Sequence, residues 1–107
     1  MEKRFYWKRR YQRKDQWNLW YNDYYGDHMT GLKIQANPWF EMYFSDSYYG
    51  NIPKKVLLQK LNLPDYEEIW TEGSDYKPMT LKQRLSKCAL WKKKILKAVN
   101  ELKNEYR

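Results

Sequence analysis

The sequence is poor in the residues from which most functional sites are recognised. It holds one cysteine, Cys88, and one histidine, His28, so no disulfide can form within the chain and no zinc-spaced Cys/His set exists. Its four glycines do not cluster, which excludes a phosphate loop. No apolar run approaches the length that spans a bilayer, and the opening MEKRFYWKRR lacks the apolar centre of a signal peptide. Helix-turn-helix and Gly-aromatic RNP1 patterns are absent as well. These absences predict a cytoplasmic protein with no membrane partner, no metal, no cofactor and no recognisable catalytic set.

Aliphatic residues are also scarce. Leu, Ile, Val and Phe total 20 of 107 residues, and the net charge is +8, a combination that by itself suggests disorder. Six Trp and eleven Tyr reverse that expectation, because each such ring buries roughly 150–250 Å² when internal. The length suits one domain. A single domain over 1–107 built around an aromatic core is therefore predicted.

The charge is segregated. Residues 1–14 carry seven Lys/Arg against Glu2, residues 80–107 carry nine against Glu101 and Glu105, and residues 15–79 carry five against ten acidic side chains. The two ends are thus +6 and +7 and the middle −5. If the ends meet in space they form one basic surface suited to a polyanion.

Alternation predicts strands in the first half, over about residues 3–46. In GLKIQANPWFEMYF, Leu32, Ile34 and Ala36 alternate with Lys33 and Gln35, and Phe40, Met42 and Phe44 alternate with Trp39, Glu41 and Tyr43, with Asn37-Pro38 between them. Arg4–Lys14 alternates too, placing Phe5, Trp7 and Tyr11 on one face and Tyr6, Lys8, Arg10 and Gln12 on the other. Residues 15–25 fit both a helical stripe (Trp17, Trp20, Tyr21, Tyr24) and a strand, with aromatic richness favouring the strand. YYGD at 24–27 and YYGN at 48–51 are expected turns. Further on, Asn51 as cap and Pro53 in the first turn predict a short helix over about 53–62, and DYEEIW suggests one more helical turn. A loop is expected at about 71–79. Thr80-x-x-Gln83 is a capping box opening a helix over about 80–106, with an apolar stripe through Leu81, Leu85, Cys88, Trp91, Ile95, Val99, Leu102 and Tyr106. The fold class is α+β: an antiparallel sheet of three to four strands, with one short and one long helix packed on one face.

Function is expected where rings and cations alternate. The stretch RFYWKRRYQRKDQWNLWYNDYY contains nine aromatic rings and six Lys/Arg. If Phe5 and Trp7 face inward, then Tyr6, Lys8 and Arg10 face outward, the pairing of ring and cation that single-stranded nucleic acid exploits. The candidate binding residues are Arg4, Tyr6, Lys8, Arg10, Arg13 and Lys14, joined by Lys87, Lys93, Lys94 and Lys97 on the polar side of the last helix. Lys92 falls within the apolar stripe and is expected to bury its stem. Outward tyrosines also serve cross-strand pairing, and a lysine-rich helix face also serves solubility. His28, beside Asp27, is expected to be a solvated turn residue and Cys88 a small core residue. Binding of RNA, single-stranded DNA or a ribonucleoprotein is the leading expectation. The alternatives are an inhibitor or adaptor for an acidic protein surface, as small phage and mobile-element proteins often are, and a metal-independent ribonuclease.

Overall fold

Alternating apolar positions make strands of the first four segments and pairing with the fourth makes a strand of the fifth, and each strand finds its neighbour in sequence as its neighbour in space. The computed structural model describes residues 3–37, 39–45, 49–70 and 79–106. Strands β1 (Arg4–Arg9), β2 (Gln16–Asp23), β3 (Gly26–Gln35), β4 (Glu41–Phe44) and β5 (Glu68–Trp70) make one antiparallel sheet in the order β1-β2-β3-β4-β5. Helices α1 (Lys54–Lys60) and α2 (Leu81–Leu102) complete an α+β domain.

The sheet's inner face carries Phe5, Leu19, Tyr21, Leu32, Ile34, Met42, Phe44 and Ile69, all buried. Leu57 and Leu58 of α1 join Cys88, Ile95, Ala98, Val99 and Leu102 of α2 in the same core. Each residue added to this face removes apolar area from water at about 25 cal/mol per Å², and the aliphatic scarcity is relieved by full burial of Tyr21 and Tyr49. The Tyr49 hydroxyl donates to the Ser45 carbonyl. Trp7, half-buried, donates its indole N–H to the Lys92 carbonyl at 2.9 Å and so ties β1 to α2.

The hydroxyl of Thr30 holds the sheet together where its register breaks. Between Asn18↔Lys33 and Trp20↔Met29, β3 carries more residues than β2, and Thr30 Oγ1 donates to the Leu19 carbonyl at 2.8 Å while accepting from Leu32 N at 3.1 Å. A buried break in a ladder would otherwise leave backbone groups unpaired. At Gly50, φ is +62° and an added Cβ would lie 3.1 Å from the Phe5 ring. Glycine is thus required there both for the turn and for the packing of β1.

The capping box at Thr80 forms as predicted: Gln83 N donates to Thr80 Oγ1 at 3.2 Å and Thr80 N to Gln83 Oε1 at 2.9 Å. Several expectations need correction. The sheet has five strands because Glu68–Trp70 pairs with β4, in the segment expected to be a helical turn. Ile69 sits opposite Met42 in that pairing and is buried. The strand favoured for residues 15–25 forms as expected over Gln16–Asp23, bonded on both edges to β1 and β3; a helix there would leave both neighbouring ladders unfilled. Tyr11 leaves the inner face because the chain turns after Arg9, with Arg13 N bonded to the Arg10 carbonyl and Gln12 at φ +61°, and its ring is 86% exposed. Leu81, expected on the apolar stripe, is exposed. Pro53 itself is the N-cap of α1, and Asn51 adopts a left-handed φ of +75° two residues earlier. The expected loop at 71–79 lies outside the described residues except for Met79, as do Pro38 and Tyr48 of the expected turns.

Candidate nucleic-acid interface

The alternation that sends Phe5 and Trp7 inward sends Arg4, Tyr6 and Lys8 to the other face of the sheet. Both helices contribute their apolar sides to the inner face, and no described element packs on the outer one. Two cross-strand rows organise that open face. One runs Tyr6, Trp20, Met29 over β1, β2 and β3, and the next runs Lys8, Asn18, Lys33, Tyr43 over β1 to β4. Tyr6 and Trp20 are half-buried, leaving ring surface in water, and Met29 is 58% exposed.

Cations lie over these rings. Lys8 Nζ stands 4.7 Å from the Trp20 ring centroid, and Lys33 Nζ 5.5 Å from that of Tyr43. Desolvation, reinforced by the hydrogen bond and charge of Asp27 on the same face, raises the pKa of the Tyr6 phenol, so it remains a neutral donor at physiological pH. Toward β5 the face turns acidic: Tyr43 donates to Glu67 Oε1 at 2.6 Å, and Glu68 lies opposite Tyr43. The cations of the face are therefore gathered in its β1–β3 half.

Other predicted residues fall elsewhere. Exposed Arg10 follows β1 and donates to Gln16 Oε1 at 3.3 Å; Gln16 in turn donates to Gln35 Oε1 at 2.9 Å. Arg13 and Lys14 are exposed in the β1–β2 connection, where with Asp15, Gln16 and Asn37 they line an open depression of about 330 Å³. Lys93, Lys94 and Lys97 are exposed on α2, with Lys94 Nζ 4.7 Å from the Trp91 centroid. By helical spacing Lys93 and Lys97 lie opposite the buried side that carries Cys88, Ile95 and Val99, and Lys94 lies on the flank beside Trp91. Lys87 belongs to the core boundary, with its ammonium 5.4 Å from the Phe40 ring centroid. The basic ends of the chain thus meet in the fold yet display their charge on two faces.

Lys92 packs as expected, half-buried with Nζ 4.0 Å from the Trp17 ring centroid, and burial together with the nearby charge of Arg9 lowers its pKa. Burial pushes the Cys88 thiol up to about 11, which leaves it protonated and a poor nucleophile. His28 is not a free turn residue. It lies on β3, stacked 5.0 Å from Tyr21, with Nε2 3.0 Å from Asp23 Oδ1, so its partner is Asp23 and not the adjacent Asp27. Among the described residues no three of His, Cys, Asp and Glu converge on a common point as a metal requires. No described helix is long and apolar enough to cross a membrane.

Sequence reasoning missed Trp20, Met29, Lys33 and Tyr43 on the open face. The signal for Lys33 and Tyr43 was present as the polar half of the hairpin alternation; that for Trp20 was obscured by the helical spacing of Trp17, Trp20, Tyr21 and Tyr24. Comparison of the chain with protein-family models, with curated proteins and with solved structures finds no match in any of the three.

Proposed function

We propose that the protein binds single-stranded nucleic acid on the open face of its sheet, with bases on Tyr6 and Trp20 and phosphates on Arg4, Lys8 and Lys33. The observation that carries the reading is the Lys8 ammonium held 4.7 Å over a half-exposed Trp20 ring, on a face that no described element covers. In the free protein that cation–π contact is worth about 0.5–1 kcal/mol. A stacked base contributes roughly 1–3 kcal/mol. Displacing Lys8 from the ring toward the phosphate of the same nucleotide therefore leaves a net gain. Bases sealed inside a duplex cannot reach these rings, so single strands are preferred. The reading assigns no chemical step, and it implies the cytoplasm, where a lone thiol stays reduced.

The test is fluorescence anisotropy with labelled eight-nucleotide oligo(U) and oligo(dT) between 50 and 200 mM salt. Three phosphate contacts give a slope of about −2 in log K against log salt, at roughly 0.7 per contact for single strands. Tyr6→Ala/Trp20→Ala is expected to remain folded and to weaken binding at least tenfold. Wild-type affinity in this variant, or no binding by the parent protein at 50 mM salt, refutes the proposal.

A second reading, a protein-binding inhibitor or adaptor, is supported by the tip of the β2–β3 hairpin. Tyr24 and Tyr25 are 81% and 86% exposed there, and exposed tyrosines are frequent interface anchors. A partner captured from nuclease-treated lysate and lost in Tyr24→Ser/Tyr25→Ser would favour it.

A further inference from the structure

The cations of α2 divide into those the fold uses and those it does not. Arg84 donates to the carbonyls of Ala36 and Met79, Lys87 lies over Phe40, and Lys92 lies over Trp17. Lys93 and Lys97 instead stand exposed opposite the apolar stripe of the helix, and exposed Lys94 lies on its flank over Trp91. The helix contains one carboxylate, Glu101, and that carboxylate is bonded to Lys60 of α1 at 2.9 Å. Lys93 and Lys97 are spaced i, i+4, where like charges repel and destabilise a helix. Glu101, one turn from Lys97 and held in its charged form by Lys60 and Lys97, is the only acid of α2 beside these three lysines, so the face keeps a net positive charge and fits a polyanion.

The distance between this face and the open face of the sheet decides what the two do together. The domain measures 45 × 30 × 20 Å. In a two-layer fold the outward sides of helix and sheet lie on opposite sides of the domain. Even across its thinnest dimension, that separation is about twice the screening length of ~10 Å at 0.1 M ionic strength. The two faces are therefore electrostatically independent, and a short strand seated on one is not held by the other.

We propose that the protein bridges two nucleic-acid strands, one stacked on the sheet and one held through its phosphates by Lys93, Lys94 and Lys97, and that it thereby accelerates annealing of complementary strands. This rests on the single-strand reading of the sheet. The division of labour follows from the side chains. The sheet face has rings that hold bases one at a time, whereas the helix face offers point charges that track a backbone irrespective of base. A strand held by its backbone keeps its bases available for pairing.

The experiment uses the full chain with two non-complementary eight-nucleotide oligo(dT)-type strands, one labelled with a donor and one with an acceptor fluorophore. It then measures the annealing rate of complementary twenty-nucleotide strands. The expected result is two eight-nucleotide strands bound per protein, energy transfer that peaks and then falls as protein exceeds strand, and annealing accelerated at least tenfold. Lys93→Gln/Lys94→Gln/Lys97→Gln is expected to keep the circular dichroism of the parent and to bind the first strand within twofold of it, while losing both the transfer and the acceleration. One strand per protein, lost in Tyr6→Ala/Trp20→Ala, would overturn the bridge and leave the sheet reading intact. Equal weakening of a single strand by both sets of variants would show one strand wrapped around the β1 edge, and would also overturn it. No binding of any strand would overturn both.

Discussion

Replacing Trp7 separates what its ring contributes from what its N–H contributes. The side chain is half-buried against the core, and its indole N–H reaches the Lys92 carbonyl at 2.9 Å. Trp7→Ala removes both. Complete burial would make that worth 3–5 kcal/mol, and half-burial reduces it to about 2 kcal/mol. Trp7→Phe keeps most of the ring and loses only the hydrogen bond. Because a carbonyl inside a helix already accepts a helical bond, no buried acceptor is orphaned, and the loss sits at the low end of the range, about 0.5–1 kcal/mol. Urea unfolding followed by circular dichroism resolves the two steps. A domain of this size loses roughly 4–8 °C per kcal/mol, so Trp7→Ala should melt about 10 °C below the parent. Tyr6→Ala, one residue away on the open face, should cost no more than a cross-strand pair, about 0.2–1 kcal/mol. If Tyr6→Ala proved as damaging as Trp7→Ala, the assignment of inner and outer faces along β1 would be wrong. If Trp7→Phe equalled Trp7→Ala, the ring would contribute nothing to the packing of α2.

Two further outcomes follow from the same coordinates. Ile95→Ala, at a fully buried site, should cost about 2–5 kcal/mol in urea unfolding, and Trp91→Ala less, since Trp91 is half-buried beneath Lys94; the reverse order would mean that α2 is rotated. Asp23 should make stability pH-dependent in acid. Desolvation opposes its charge, yet the Tyr25 N–H, His28 and Lys3 together hold its pKa below the ordinary value. A depressed folded pKa stabilises the native state above the unfolded value of ~3.9 and loses that contribution as pH falls further, so Asp23→Asn should flatten the decline of melting temperature below about pH 4, and an unchanged decline would remove Asp23 as its source.

How much was legible in the sequence depended on how each element is determined. The hairpin faces around Lys33 and Tyr43 were readable because one side is buried and a one-residue slip would invert every side chain. The capping box at Thr80 and most of the α2 stripe were readable because both are local. β5 was not, because three residues carry almost no periodicity and Glu68–Trp70 is a strand only through pairing with β4. For β2, periods of 2 and 3.6 coincide at Trp17 and Tyr21, and only the two flanking ladders decide between them. The placement of the candidate residues Arg4, Tyr6 and Lys8 on the outer face was legible from alternation in β1. Their joining to Trp20, Met29 and Lys33, and their separation from Lys93, Lys94 and Lys97, required the three-dimensional arrangement.

The strand order, identical to the order of synthesis, has a consequence for how the molecule comes into being. Every strand can pair with the one made just before it; within the meander, β1 to β4 need only short loop closures, which are fast, whereas β5 returns to β4 across residues 45–67, which include α1. The contacts that seal it are of another kind, joining Trp7 to Lys92 and Lys3 to Lys103 across 85 and 100 residues. Until α2 leaves the ribosome, the nascent sheet has two open sides, one greasy with Phe5, Leu19, Leu32 and Met42, the other studded with cations. The interval before α2 docks, with the apolar side of the sheet still unsealed, is when this chain is most prone to aggregate.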